Sequence, residues 1–171
     1  MTRRAPNTPC IGICSTTFGD TVCRGCKRFL HEVVNWNGYS EEEKAIVWRR
    51  LDRLLALVVS NYFDVTDAAL LRAGLQAQNL RCQPQLCAAS QVPELLRAAG
   101  GRHPDYSAFG LQPRDNALQY PGGRGLYDVI SAEFHALSVA HYERGFQQPI
   151  RGLVQQTAAE MLLQDASLPE S

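Results

Sequence analysis

Cys10-Ile11-Gly12-Ile13-Cys14, eight further residues, and Cys23-Arg24-Gly25-Cys26-Lys27-Arg28 form the stretch from which the rest of the chain is read. A C-x3-C pair and a C-x2-C pair joined by a short loop can bring four thiolates to one centre. Tetrahedral Zn²⁺ demands that ligand set, and iron–sulfur clusters are also held by cysteines. Gly12 and Gly25 lie inside the two ligand loops, where a small residue lets the backbone turn towards sulfur. Cys26 is expected to open a helix through Val34, whose free amides would favour thiolate at Cys23 and Cys26. Lys27 and Arg28 add positive charge beside a centre that four thiolates make negative. The intervening Ser15-Thr16-Thr17-Phe18-Gly19-Asp20-Thr21-Val22 reads as a tight hairpin, β-branched on either side of Gly-Asp. Knuckle, hairpin and helix together describe a small treble-clef-like metal knuckle. Two disulfides, or thiols used as small buried hydrophobes, are the competing uses of the same cysteines.

Working outward, Phe29, Leu30, Val33, Val34 and Trp36 are three and four apart, a short helix that Asn37-Gly38 ends. Ser40 followed by Glu41-Glu42-Glu43 is a capping box with an acidic first turn. It opens a helix expected over Glu41–Tyr62, with Ile46, Leu51, Leu54, Leu55, Val58 and Tyr62 as its buried stripe. Further helices are expected over Asp67–Leu80, Pro93–Ala99, Leu126–Arg144 and Ile150–Gln164, with Thr66 and Ser90 as caps for the first two. Gly100–Gly125, rich in glycine and proline, reads as an ordered loop or a run of short turns. The fold class is therefore mainly α: the cysteine module with its capped helix over residues 1–64, then a helical body over 65–171.

The residues that define the module also resemble a known group. Pro9-Cys10-Ile11-Gly12-Ile13-Cys14, then Cys23-Arg24-Gly25-Cys26-Lys27-Arg28, then Glu32, Trp36, Ser40, Glu43 and Leu51 resemble the short cysteine-rich bacterial DUF1289 family. Its members are labelled as predicted iron–sulfur or metal-binding proteins. The resemblance covers about residues 9 to 55. It implies that Cys10, Cys14, Cys23 and Cys26 are metal ligands, and that Arg28 and Trp36 are pattern positions without a known role. The family pattern has a small residue after the arginine, where this chain has Phe29.

Zinc and an iron–sulfur cluster both remain open. The family label favours a cluster. The short paired spacings favour zinc, which also stabilises a segment too small to build its own core.

Composition narrows the function classes. Of 171 residues, 45% are hydrophobic and 20% charged, as in folded globular chains rather than disordered ones. The 17 Lys+Arg cancel the 17 Asp+Glu, so no overall basic footprint for nucleic acid exists. Residues 1–55 nevertheless carry nine basic against six acidic side chains, a net +3 that leaves −3 for the remainder. The partner expected is another protein, with RNA less supported. Thr2–Pro9 lacks the apolar run of a secretory signal, and Leu54–Val59 is far short of the ~20 residues that cross a bilayer. A cytoplasmic setting with reduced thiols is the expectation.

Weaker features are read as structural. Cys82 and Cys87 flank Pro84 with no adjacent histidine to complete a second tetrad. His31, His103, His135 and His141 do not group at ligand spacing. Pro121-Gly122-Gly123-Arg124-Gly125 lacks the lysine and the Ser/Thr of a phosphate loop and reads as a turn. Trp36, Trp48, Tyr120, Tyr127, Phe134 and Tyr142 read as packing residues. No serine, histidine or carboxylate arrangement points to catalysis, so no catalytic residue is named. Two functions compete: a non-enzymatic protein-interaction module with a structural four-cysteine site, and an iron–sulfur electron-transfer or redox-sensing protein.

Overall fold

The computed structural model describes residues 8–147. These are mainly helical, with α1 over Leu30–Val34, α2 over Glu41–Val59, α3 over Ala68–Ala77, α4 over Val92–Ala99 and α5 over Gly122–Tyr142. The expected helix over Ile150–Gln164 lies outside the described residues.

The longest helix of the module starts where its sequence dictates. Ser40 Oγ accepts from the Glu43 amide at 3.2 Å while the Glu43 carboxylate accepts from the Ser40 amide at 2.7 Å. Two otherwise orphaned donors are satisfied, and three glutamates sit in the positive first turn. The buried face of α2 is Val47, Leu51, Leu54 and Val58, joined by Val59. Ile46 is 58% exposed, so the expected stripe was one residue out at its start. The 47, 51, 54, 58 series keeps one face at near 100° per residue, from which position 46 falls about a quarter-turn away. The helix ends at Val59, three residues early, and Tyr62 is buried beyond it.

That early end leads directly into a strand. Phe63–Val65 (β1) pairs antiparallel with Leu111–Pro113 (β2), placing Phe63 opposite Pro113 and Val65 opposite Leu111. Each strand has only three residues, too few for alternation to be read in the sequence. The expected loop over Gly100–Gly125 thus contains β2, flanked by 3-10 turns at Ser107–Phe109 and Ala117–Gln119. The Gly110 carbonyl accepts from the Thr66 and Asp67 amides, at 2.9 and 3.1 Å. Gly110 itself has φ +61°, and a Cβ there would lie 2.5 Å from the Asp67 carbonyl oxygen. No side chain fits at that crossing.

Neither expected cap forms. Asp67, not Thr66, caps α3 by accepting from the Ala69 and Leu70 amides at 2.9 Å. A carboxylate one residue nearer the helix reaches both donors, while the Thr66 hydroxyl donates to the Gly110 carbonyl instead. Ser90 lies in a 3-10 turn and donates to Asp52 and to the Cys87 carbonyl, so it caps nothing.

Helices α2, α4 and α5 pack together around Leu54, Val59, Leu95, Leu96, Leu126 and Ile130, with Leu71 and Leu75 of α3 fully buried in the same cluster. Burying each such side chain contributes about 1.5–3 kcal/mol, offset by the entropy of ordering it. α5 begins four residues before the expected Leu126 and ends at Tyr142, followed by a wider turn over Glu143–Gln147. Among the described residues no helix is long and apolar enough to cross a membrane.

Candidate metal centre

The second cysteine pair lies in a tight turn held by its own backbone. The Cys23 amide donates to the Arg28 carbonyl at 2.9 Å, and the Lys27 amide to the Cys23 carbonyl at 2.8 Å. Lys27 closes the turn with φ +59°, a left-handed conformation that normally favours glycine. Val22 and Phe29 then face each other as an antiparallel bridge, and α1 begins at Leu30. Two expectations are therefore corrected. Cys26 does not open the helix, because the left-handed Lys27 breaks any helical run between them. Residues 15–22 form no hairpin, because Ser15–Phe18 close into a 3-10 turn ended by Gly19 at φ +97°.

The amides expected from a helix end are supplied by this turn. Burial pushes the Cys23 thiol up. The amides of Cys26, Ser15 and Gly25 and the Cys26 side chain outweigh it, bringing Cys23 down to about 7. Cys26 moves the other way: burial raises its thiol, although the Arg28 guanidinium donates to its sulfur at 3.3 Å. Cys23 and Cys26 are both buried.

The first pair is more open. Cys10 is exposed and accepts from the Gly12 amide at 3.4 Å. Cys14 is half-buried, with its sulfur 3.0 Å from the Thr16 hydroxyl. The two loops touch: the Cys23 thiol reaches the Ile13 carbonyl at 3.7 Å, and the Arg24 amide donates to the Ser15 hydroxyl at 2.8 Å. A Cβ on Gly25 would sit 2.7 Å from the Ile13 carbonyl oxygen, so only glycine permits this approach. Cys23 and Cys26 are thus brought together with the Cys10–Cys14 loop against them. Among the described residues no three Cys, His, Asp or Glu side chains converge into a group that could hold a metal ion.

Three cations and one carboxylate are enclosed around this turn. Arg28 is 4% exposed and stacks on the Trp36 ring at 4.6 Å, which joins two positions of the sequence pattern. Lys27 is 5% exposed; its ammonium donates to the Gly25 carbonyl at 3.1 Å and to Ser131 of α5 at 2.8 Å. Burial lowers its pKa, with the Cys26 and Cys23 charges opposing. Glu32 accepts from the Phe29 amide at 2.8 Å and from Arg50 of α2 at 2.6 Å. Arg50 in turn lies 3.8 Å from the centre of the Phe29 ring. The sequence reading missed the Glu32–Arg50 pair and the Lys27–Ser131 link. Their partners are far apart in the chain, and no local period connects them.

Comparison with known families converges on the same stretch. Residues 8–55 match the family described as "Protein of unknown function (DUF1289)". The matched segment contains Cys10, Cys14, Cys23 and Cys26, together with Glu32, Trp36, Arg50 and most of α2. Phe29, where the resemblance expects a small residue, is buried and packs edge-on against Tyr142 at 5.3 Å and Phe146 at 5.6 Å. No curated protein and no solved structure matches the chain.

The remaining candidates are occupied by structure. The Gly122, Gly123 and Arg124 amides donate to the His103 ring, the Arg102 carbonyl and the Gly100 carbonyl, so that helix start is spent within the protein. His135 of α5 lies 3.1 Å from the Val22 carbonyl and ties α5 to the residue before the cysteine turn. Cys82 is half-buried, Cys87 is exposed, and both are free thiols. Tyr62 and Tyr120 pack edge to face at 6.1 Å.

Proposed function

We propose that the DUF1289 segment is a metal-binding module whose ligands are Cys10, Cys14, Cys23 and Cys26, and that its metal is structural Zn²⁺. The observation that carries this reading is the set of donors on sulfur, the Gly12 amide on Cys10 and the buried Arg28 guanidinium on Cys26, with the Cys23 thiol brought down to about 7 beside them. Groups that favour thiolate are what a metal-binding cysteine needs and what an inert buried thiol lacks. Charge supports it too. Four thiolates around a divalent ion leave two negative charges, and Lys27 and Arg28 supply two buried positive ones. Zn²⁺, when bound, supplies cross-linking of the two loops and no redox chemistry. The turn at Cys23–Arg28 followed by α1 supports the treble-clef-like description, with a 3-10 turn in place of the hairpin.

The module serves as a protein-interaction unit on a helical body. Ile13 is 73% exposed and Phe18 90% exposed, apolar surface that a protein partner covers better than RNA does. Iron–sulfur electron transfer or redox sensing is the second reading, favoured by the same sulfur-directed amides, which tune cluster potentials.

Elemental analysis and a visible spectrum of untagged protein purified without oxygen test both readings. Colourless protein with about one Zn²⁺ per chain is expected, with Cys23→Ser losing the metal and the fold of the segment. Brown protein containing sulfide would replace zinc by a cluster. Unchanged folding and metal content in Cys23→Ser would remove the module altogether.

A further inference from the structure

Behind the Gly25–Cys26 turn lies a half-open cavity of about 170 Å³, bounded by α2, α4 and the 81–91 segment. A cavity of about 150 Å³ is enough for a benzene ring. Its wall is largely apolar, from Trp48, Leu51, Leu55, Leu86 and Phe134. The polar groups on the wall differ in what they have left to offer.

The acceptors are already engaged by protein donors. Both oxygens of Asp52 accept from the Cys87 amide at 3.1 Å, and one also takes the Ser90 hydroxyl. Glu94 is paired with Arg97 at 2.8 Å. The donors are not spent. Gln91 is 4% exposed; its carbonyl oxygen accepts from the Gln83 amide at 3.0 Å, while its Nε2 has no partner. Arg81, exposed at the mouth, makes no hydrogen bond or ion pair among the described residues. Buried polar groups in folded proteins are normally satisfied, so the orphaned Gln91 amide calls for an acceptor, and Arg81 on the same wall favours one carrying negative charge.

We propose that this cavity binds a small monocarboxylate with an apolar or aromatic body, the ring against Trp48 and Leu55 and the carboxylate at Gln91 and Arg81. Gly25 and Cys26 also line the cavity, but the contacts proposed for the acid use no cysteine, so its binding is read on the protein without added metal.

The test uses the full-length protein and two probes of one shape and opposite charge, phenylacetate and phenethylamine, followed by NMR of the Trp48 indole N–H. Saturable shifts with phenylacetate bound at least about tenfold tighter than the amine are expected, since a charge-assisted pair favours the acid. Arg81→Ala, at an exposed position, should weaken phenylacetate about tenfold. Gln91→Glu keeps the acceptor for Gln83 but loses the donor, and should weaken it by at least as much. Absence of a saturable shift up to about 10 mM would overturn the proposal. So would equal or tighter binding of the amine, as Asp52 and Glu94 would dictate, or unchanged affinity in either variant.

Discussion

Removing the Glu32 carboxylate should be among the most damaging single changes in the DUF1289 segment. Its side chain is 8% exposed and that of Arg50 20%, so water does little to screen the pair. Glu32→Ala leaves the Arg50 guanidinium enclosed without its counter-charge, and one of its nitrogens, Nη1, already has no partner. Breaking a buried pair from one side costs about 3–5 kcal/mol, and the Phe29 amide loses its acceptor as well. With a urea dependence near 2 kcal/mol per molar, a loss of about 4 kcal/mol lowers the unfolding midpoint by about 2 M. The melting temperature should fall by about 8–16 °C for a chain of this size. The control is the double change Glu32→Leu with Arg50→Met. It removes both charges and keeps apolar cover on the Phe29 ring, and should recover to within about 2 kcal/mol of the parent. Urea titrations followed by circular dichroism and by tryptophan fluorescence measure both. A loss under about 1 kcal/mol for Glu32→Ala would refute the reasoning. So would a double variant as unstable as the single one.

Other changes probe the scaffold. Ser40→Ala removes the reciprocal cap of α2 and should cost about 1 kcal/mol, whereas Ser40→Gly costs only a few tenths; thermal melts separate the two. Gly122→Ala places a Cβ 2.3 Å from the Gly101 carbonyl oxygen at a residue with φ +66°, and should destabilise by more than about 2 kcal/mol. An unchanged melting temperature would contradict that backbone crossing. The Tyr62 hydroxyl is raised above its ordinary value by burial and by its hydrogen bonds to Glu133 and Tyr120. A raised folded pKa stabilises the protein fully below about pH 10, and that stability is lost as pH climbs through the folded value. Tyr62→Phe should therefore flatten the alkaline fall in stability, and an equally steep fall would sink the assignment.

Local signals were the ones the sequence made readable. The Ser40–Glu43 box was visible because both its halves lie within one turn, and α5 was visible because Leu126, Ile130 and Phe134 repeat every four residues. The C-x2-C spacing was readable as a tight turn, since Cys23 and Cys26 lie within one set of backbone bonds. What lay beyond local reach was decided elsewhere in the chain. β1 forms because Tyr62 and Phe63 are carried to Arg114 and Pro113, fifty residues on, and no three-residue strand announces that. The α2 stripe was misplaced at Ile46 because two apolar residues stand side by side, and only packing against the body selects Val47. The hairpin between the cysteine pairs failed for a similar reason. β-branched residues favour strands only when a partner strand exists, and here the backbone across from Val22 is Phe29.

Lys27 shows why the module and the body are better regarded as one piece of chemistry. A left-handed residue after a turn is a position for glycine, and a lysine there strains the backbone by about 1 kcal/mol or more. Ordering and burying its long side chain adds a further cost. What the lysine provides, and glycine cannot, is a cation beside Cys23 and Cys26 that also donates to Ser131 of α5. Two more contacts run in parallel with it: the His135 ring to the Val22 carbonyl, and Phe29 packed against Tyr142. All three join the cysteine turn to one helix, at residues 131, 135 and 142 along it. The cysteine turn is therefore tied to α5 through a buried ammonium. Without the Gly25 carbonyl and the Ser131 hydroxyl, that ammonium would sit unsatisfied in an interior where desolvation is expensive. Breaking the Lys27–Ser131 contact is consequently expected to loosen α5 from the cysteine turn, so the turn and the helix hold one another in place.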